Sequence, residues 1–443
     1  MVVDNRNFFE QWFAINLLSL VKLKLFIMTR FTICKTICLL LPVLFVFSCH
    51  VSYVSFRPEQ KVVHSDTAIV TRVYIDRYGD FYPDPGVPID SAKFKVNGRR
   101  GSKNLGSLSH YFLSRKKRMR YLSEFYGVSA DSSAEAAFRE VQRRIKNRYV
   151  EEINHKILRQ HAGRLVYLVH GLNDTMAEAE YDQLRDTIAH RRLLPAERPV
   201  FVDIHWDSLN AHVFDGLAVV KVWKPAQVNS IFVSLSLREL MTGVEQQTGI
   251  PTIVITHSLG AGVALGAMFN TVHKWKSLDG MISKANQQRL SRLMLNPTPV
   301  SPVRIAIIAP AIPGETTFTD FNLREPSAIT ASQNNIGRVV IGYNYKDYAV
   351  SKQLLDIDLA PIYGSTTLGC NYTLLGVTEI DRVFDKMKTL GYGGYTGIIV
   401  PMEFQTPVRK NAPLLESGTC EHAFCYYIDN VRMKDLLTEL FGQ

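Results

Sequence analysis

The clearest chemical signature in the chain is a serine at the junction of a predicted strand and a predicted helix. The run Thr252–Thr256 has the composition of a buried strand, and it continues through His257, Ser258, Leu259 and Gly260 directly into a helical segment. A sharp turn of this kind lifts a serine hydroxyl out of a sheet, and the N–H of the following residue then points to where an oxyanion forms. Ser258 is therefore the predicted nucleophile of an acyl-transfer reaction.

Two other interpretations of this segment stay open. Ser258 would also suit the N-cap of the predicted helix Leu259–Lys274, because a serine side chain accepts hydrogen bonds from the first helical turn. Gly260, Gly262 and Gly266 could belong to a dinucleotide-binding loop. Their spacing departs from G-x-G-x-x-G, however, and they begin inside the helix instead of before it. The sequence favours the nucleophile turn over both.

A serine nucleophile needs a general base, and few histidines follow Ser258. The serine turn resembles that of α/β-hydrolases, and this resemblance implies a chain order of serine, then acid, then histidine. His273 would lie about four turns along the helix that begins at the serine, on the order of 22 Å away. His422 is the remaining histidine, and it lies in the turn-rich stretch 416–422 after the last predicted strand. We therefore predict His422 as the base.

The acid should lie between the serine and the histidine, at the end of a strand. Asp347 follows the predicted strand Arg338–Tyr343 and could hold the imidazole in the correct tautomer. Glu315 also follows a strand end and is the main rival. Asp356 and Asp358 are weaker candidates. Asp347 is the predicted acid, and the choice against Glu315 stays open.

A second strand end supplies candidates for the oxyanion hole. The apolar run Leu165–Val169 ends in His170-Gly171, ahead of a helical segment. Gly171 would let the backbone approach a substrate, and the next N–H, from Leu172 or Asn173, would point at the oxyanion. Together with the N–H of Leu259, these groups form the predicted oxyanion hole.

The elements that must position these residues alternate between strands and helices from residue 164 onward, after one predicted strand and one predicted helix earlier in the chain. This pattern predicts an α/β fold, with a mostly parallel sheet covered by helices on both faces and a site at the carboxyl ends of the strands. The predicted strands are Ala68–Ile75, Leu165–Val169, Pro199–His205, Thr252–Thr256, Arg304–Ala309, Arg338–Tyr343 and Thr396–Val400. The predicted helices are Ser133–Arg159, Met176–Arg192, Asn229–Thr248, Leu259–Lys274 and Val431–Phe441.

These residues together resemble the α/β-hydrolase superfamily. The resemblance rests on the His170-Gly171 turn, the serine turn Thr256–Gly260, Asp347 and His422. It is closest to an uncharacterised bacterial branch with a T-H-S-x-G turn, in which threonine replaces the usual first glycine.

The resemblance implies a serine hydrolase that cleaves an ester or related acyl bond through an acyl-enzyme. Lipase, esterase, thioesterase and peptidase activities remain open, and no cofactor or metal is required. The apolar segments Leu217–Val222 and Ile231–Leu237 could line an acyl pocket, although such stripes more often pack in a core. The alternative is a non-catalytic envelope-associated binding or scaffold protein that retains the hydrolase fold, since fold alone does not guarantee activity.

The N-terminus has the pattern of an export signal. From a second methionine, Met28, the basic residues Arg30 and Lys35 precede the apolar run Ile37–Phe47, which is short for a membrane span. The junction at Cys49 resembles a bacterial lipoprotein signal, in which the chain is cut before the cysteine and lipid is attached to it. We predict a membrane-anchored lipoprotein of the bacterial cell envelope. A secreted or periplasmic protein and an uncleaved anchor are the alternatives.

The expected organisation has three parts. Residues 1–49 form the export signal, 50–163 an N-terminal extension, and 164–443 the hydrolase domain. The 443 residues are 46% hydrophobic and 21% charged, which excludes a wholly disordered chain.

The basic excess of the chain lies in one stretch, from Lys93 to Arg120. The stretch contains ten lysines and arginines and no acidic residue, and the formal net charge of the whole chain is +10. The stretch is either a solvated surface loop or a contact for an anionic surface. Few aromatic residues are interleaved with the charges, so no specific nucleic-acid partner is expected.

Three cysteines remain after the leader: Cys370, Cys420 and Cys425. At most one intramolecular disulfide can form among them, and its pairing stays open. No C-x-x-C pair or H-E-x-x-H motif indicates zinc.

Overall fold

The computed structural model describes residues 69–90, 94, 106–129, 133–172, 177–190, 198–209, 216–269, 303–314, 336–351, 353–354, 357–358, 366–371, 373–374, 376–389, 398–405 and 422–442. Several residues named above lie outside these ranges: Cys49 with the whole leader, Asn173, His273, Glu315, Asp356 and Cys420.

A seven-stranded sheet forms the centre of the fold. The strands of the described chain are β1 (Val70–Ile75), β2 (Leu165–Val169), β3 (Val200–Trp206), β4 (Thr252–His257), β5 (Val303–Ile308), β6 (Ile336–Tyr343), β7 (Gln353–Leu354), β8 (Ile357–Asp358), β9 (Thr373–Leu374), β10 (Val377–Thr378) and β11 (Ile399–Glu403). The sheet has the order β1-β3-β2-β4-β5-β6-β11, and every neighbouring pair in it is parallel. The carboxyl ends of all seven strands therefore meet at one edge, where β4 and β6 deliver Ser258 and Asp347.

Helices cover the sheet on both faces. The helices are α1 (Leu108–Leu113), α2 (Lys116–Phe125), α3 (Ala134–Gln160), α4 (Ala177–His190), α5 (Gly216–Thr248), α6 (Gly260–Phe269), α7 (Tyr348–Ser351), α8 (Glu379–Thr389), α9 (Phe424–Ile428) and α10 (Arg432–Phe441). On one face, α4, α9 and α10 share an apolar core with strand side chains such as Leu168 and Ile255. On the other, α6 packs on β2 and β4 and against α5, which in turn contacts α3.

The central strands are buried along their whole length. Every residue of β2, β3 and β4 is buried, which explains why their sequences are nearly continuous apolar runs instead of alternating patterns. The prediction of an α/β fold with a mostly parallel sheet is confirmed. The strand β1 and the helix α3, which precede residue 164, pack with this same sheet.

Most predicted helices and strands are present, but their ends are shifted. Four segments depart further from the prediction. The helix predicted at Asn229–Thr248 begins at Gly216 and continues through Pro225, so tertiary packing overrides the local preference of proline to end a helix. The last strand lies at Ile399–Glu403 instead of Thr396–Val400. Helices α1 and α2 occupy the second half of the basic stretch, where a loop was one expectation. Within the residues described, no helix is long and apolar enough to cross a membrane.

Candidate active site

Ser258 lies in a tight turn between β4 and α6. Its φ angle is +53°, in the left-handed region that residues other than glycine rarely adopt. The turn is held by the neighbouring strand, because the Ser258 N–H donates to the backbone oxygen of Ile308 (2.9 Å) and the Ser258 backbone oxygen accepts from the N–H of Ala311 (3.1 Å). A strained, well-anchored strand-to-helix turn is the geometry that a nucleophilic serine of this kind requires.

Two glycines allow the serine turn to lie against the end of β2. A Cβ on Gly260 would lie 2.5 Å from the backbone oxygen of His170, and a Cβ on Gly171 would lie 2.8 Å from the Cβ of Ser258. Neither position can hold a side chain without movement of the backbone. The glycines therefore bring the backbone after His170 into direct contact with the serine.

His422 connects the serine to an acidic residue. Its Nε2 lies 2.8 Å from the Oγ of Ser258, and its Nδ1 lies 2.7 Å from the Oδ2 of Asp347. Since an ionised carboxylate can only accept, Nδ1 carries the proton, and the lone pair of Nε2 faces the serine hydroxyl. This is the arrangement of a general base oriented by an acid.

Asp347 is held in place on the loop that follows β6. Its side chain is fully buried. The Oδ1 atom accepts from the N–H groups of Ala349 (3.1 Å) and Val350 (3.3 Å) at the start of α7, and the hydroxyl of Tyr427 lies 3.4 Å from Oδ2. A buried carboxylate is stable only with such partners, and here they fix the oxygen that faces His422.

The predicted oxyanion donors lie beside the serine. Leu259 is fully buried at the start of α6, and within the described chain its N–H makes no backbone hydrogen bond; the same holds for Leu172. Within these residues, both backbone N–H groups are therefore available to an acceptor. The third predicted donor, Asn173, lies outside the described residues.

The side chain of His170 fixes the orientation of one of these donors. The backbone N–H of Trp206 donates to Nε2 of His170 (3.1 Å). The proton of the neutral ring is therefore on Nδ1, which donates to the backbone oxygen of Gly171 (2.9 Å). That oxygen belongs to the same peptide group as the N–H of Leu172 and points the opposite way. His170 therefore sets the direction of the Leu172 N–H, a role that the sequence did not indicate.

His257 is a second functional residue that the sequence analysis missed. Its Nε2 lies 2.7 Å from the backbone oxygen of His422 and must donate to it, and its ring stacks on Phe424 with ring centres 5.0 Å apart. Burial, and then the nearby charge of His422 when protonated, hold the pKa of His257 well below its ordinary value. The residue before the serine therefore stays neutral and holds the loop that carries the base.

The N-terminal part of α5 lies against the loops that carry this site. Trp223 packs on Ala311, Val350 and Cys370, which lie on the segments after β5, β6 and β8. Residues Ile231–Leu237 are buried, in agreement with core packing, whereas the side chains of 217–222 are outside the described part of the chain.

The remaining metal-binding residue types and cysteines can be placed only where the chain is described. No three histidine, cysteine or acidic side chains there lie together as they would to hold a metal ion. Cys370 and Cys425 are free thiols, and the pairing of Cys420 stays open because it lies outside the described ranges. Asp358 lies in the short strand β8.

No known protein is available for comparison with this site. Comparison with protein-family models, curated proteins and solved structures finds no match for this chain.

Proposed function

We propose that this protein is a serine hydrolase of the α/β-hydrolase type that cleaves an ester or a related acyl bond. The observation that carries the proposal is the unbroken chain of contacts from Asp347 through His422 to Ser258, with 2.7 and 2.8 Å between the paired atoms. These residues come from three segments that are distant in the sequence. Their convergence at the carboxyl edge of a parallel sheet supports a catalytic role.

In the proposed reaction, Ser258 Oγ attacks the carbonyl carbon while His422 Nε2 takes the hydroxyl proton. The carbonyl electron pair moves to the oxygen, where the N–H groups of Leu259 and Leu172 would stabilise the charge. His422 then gives its proton to the leaving group as the acyl bond breaks. A water molecule, activated by the same imidazole, releases the acyl group and restores the serine.

The chain order of these residues supports the hydrolase type more closely than the sheet alone does. In α/β-hydrolases the serine comes first, the acid second and the histidine last, and the serine occupies a strained strand-to-helix turn. Ser258, Asp347 and His422 follow that order. A non-catalytic scaffold would have no need to maintain a serine at a φ angle of +53°, which costs on the order of 1–3 kcal/mol.

A panel of acyl esters of graded chain length, with matching thioesters and a peptide substrate, tests the proposed activity and narrows its substrate. We expect one class to be hydrolysed by the native chain and none by the Ser258→Ala variant, with a loss of several orders of magnitude. A folded native chain that is inactive toward every class, or equal activity in the variant, would favour the scaffold alternative.

The proposed location is the bacterial cell envelope, with lipid on Cys49 as the membrane anchor. The basic residues, apolar run and Ser48-Cys49 junction of the leader support it. Mass spectrometry of the native N-terminus tests it directly. We expect a mature chain that begins at lipidated Cys49; an unmodified cysteine or a different mature start would contradict the proposal.

A further inference from the structure

A groove lies beside α1 and α2, and none of its lining residues belongs to the candidate active site. It has a volume of about 660 Å³ and is open to solvent. One wall is the segment 88–90, and the other is formed by the two helices. The lining residues are Pro88, Ile89, Asp90, Tyr111, Phe112, Arg115, Lys117, Arg118 and Tyr121. Its apolar and aromatic lining is accompanied by three cations, Arg115, Lys117 and Arg118, and one acidic residue, Asp90.

Three exposed cations lie at the start of α2, and two of them, Arg115 and Lys117, line the groove. Arg115, Lys116 and Lys117 are exposed, and none forms an ion pair with the described part of the chain. Arg118 lies over the ring of Tyr111, 4.0 Å from its centre, and donates to the backbone oxygen of that residue. Such a cluster of like charges repels itself unless counterions or an anionic partner screen it.

Aromatic side chains are exposed on α2 beside these cations. Tyr121 and Phe125 are 45% and 39% exposed, and they follow Lys117 at intervals of four residues along one row of α2. The Tyr121 hydroxyl donates to the backbone oxygen of Gly86 at 3.4 Å, and Gly86 also lies against the ring of Phe125. The rings are therefore held along the surface, beside the cations.

Cations beside exposed aromatic rings suit the interface of a bilayer. Lysine and arginine are attracted to anionic headgroups, and tyrosine and phenylalanine bury apolar area at headgroup depth. Single-stranded nucleic acid fits less well, because it requires a series of ring faces on which successive bases stack, and Tyr111 and Phe112 are buried here.

We propose that α2 and this groove form a docking surface for anionic phospholipid in a bilayer. We refer to this surface as the basic face; it is formed by Arg115, Lys116, Lys117, Arg118 and Tyr121. The phosphate of a headgroup contacts the cations, and the apolar wall receives the start of an acyl chain. The inference stands apart from the hydrolase proposal, since it uses none of the residues at Ser258.

The test compares the partition of the full-length chain into vesicles of phosphatidylcholine alone and of phosphatidylcholine mixed with phosphatidylglycerol. The variant Arg115→Gln, Lys116→Gln, Lys117→Gln removes three charges from the basic face. Its control, Lys386→Gln, Lys388→Gln, Lys434→Gln, removes three exposed charges from α8 and α10. Any contribution of the leader is the same for all three proteins, and thermal unfolding verifies that each is folded.

We expect the native chain and the control to prefer the anionic vesicles, with a preference that falls steeply as salt is added. The basic-face variant should lose on the order of 100-fold in partition, about fivefold for each charge removed. Tyr121→Ser should weaken the binding that persists at high salt.

Three results would overturn the inference. The first is equal partition of the native chain into both kinds of vesicle. The second is an equal loss in the control variant. The third is binding of a short single-stranded RNA that the basic-face variant loses while its binding to vesicles is unchanged, which would assign the surface to nucleic acid.

Discussion

The imidazole of His257 donates from Nε2 to the backbone oxygen of His422 over 2.7 Å, a contact between residues 165 positions apart. It links the turn that carries the proposed nucleophile to the loop that carries the proposed base. Because Phe424 stacks on the same ring, the backbone of the loop is held from two sides. In the proposed reaction, His257 would therefore be a positioning residue that acts through His422.

Replacing His257 should slow the reaction more than it weakens binding of the substrate. We expect His257→Leu to lower kcat on the order of 100-fold with little change in KM, because a displacement of the base by about 1 Å costs that much. His257→Gln should recover most of the rate, since its amide nitrogen can reach the same carbonyl oxygen. Steady-state kinetics of both variants supply the test. An unchanged kcat in the leucine variant, or no recovery in the glutamine variant, would leave His257 a mere packing residue.

Replacing the acid should be far more damaging than replacing its rival. Asp347→Asn removes the acceptor that holds the proton on Nδ1 of His422, and we expect a loss in kcat/KM on the order of 10⁴-fold. Glu315→Gln should stay close to the native rate. The two variants are compared on the same ester. An inactive Glu315 variant beside an active Asp347 variant would show that the acid has been misassigned.

Gly171 should tolerate no side chain at all. In Gly171→Ala the new Cβ would lie 2.8 Å from the Cβ of Ser258, so the turn must move and the N–H of Leu172 with it. Loss of one oxyanion donor lowers kcat by about 10²–10³-fold. Gly337→Ala in β6 is the matched control, because its Cβ would meet nothing closer than 3.9 Å. Equal activity in the two alanine variants would remove Leu172 from the oxyanion hole.

Stability should decrease as the pH falls below the ordinary histidine pKa. Burial holds the pKa of His257 and of His205 well below that value, so the unfolded chain takes up protons near pH ~6.5 that the folded chain does not bind. The free energy of unfolding then falls by up to about 1.4 kcal/mol per pH unit for each histidine. Asp203 acts in the opposite sense, because burial raises its pKa to about 6.

The contribution of one histidine can be isolated with the glutamine variant. His257→Gln removes one of the two groups, so the decrease in unfolding free energy between neutral pH and about pH 6 should be smaller than in the native chain. Urea unfolding at a series of pH values measures the difference. Parallel curves for the two proteins would show that His257 is protonated as easily when folded as when unfolded.

The buried strands were predictable from sequence because their composition is a direct consequence of burial on both faces. The start of α5 was not, since Pro225 argues locally for a break and only packing reveals that the helix continues. Helices α1 and α2 of the basic stretch could not be predicted from the sequence for a similar reason. In α2 the buried residues Met119, Leu122 and Ser123 are few, and the charges around them obscure the helical period.

The candidate triad could be found from a motif, a count of histidines and the position of a strand end. The groups that support it could not. His170 and His257 act through hydrogen bonds to Trp206, Gly171 and His422, two of which lie far away along the chain. Such contacts depend on the packing of separate elements, and no local pattern encodes them.

The most direct measurement of the central claim is covalent labelling with a fluorophosphonate, which reacts selectively with an activated serine. The folded native chain is treated with the probe, and the labelled peptide is identified by mass spectrometry. We expect the label on Ser258, a loss of labelling in Ser258→Ala, and a strong decrease in Asp347→Asn. A folded native chain that takes up no label, or a Ser258→Ala variant labelled as well as the native chain, would contradict the account.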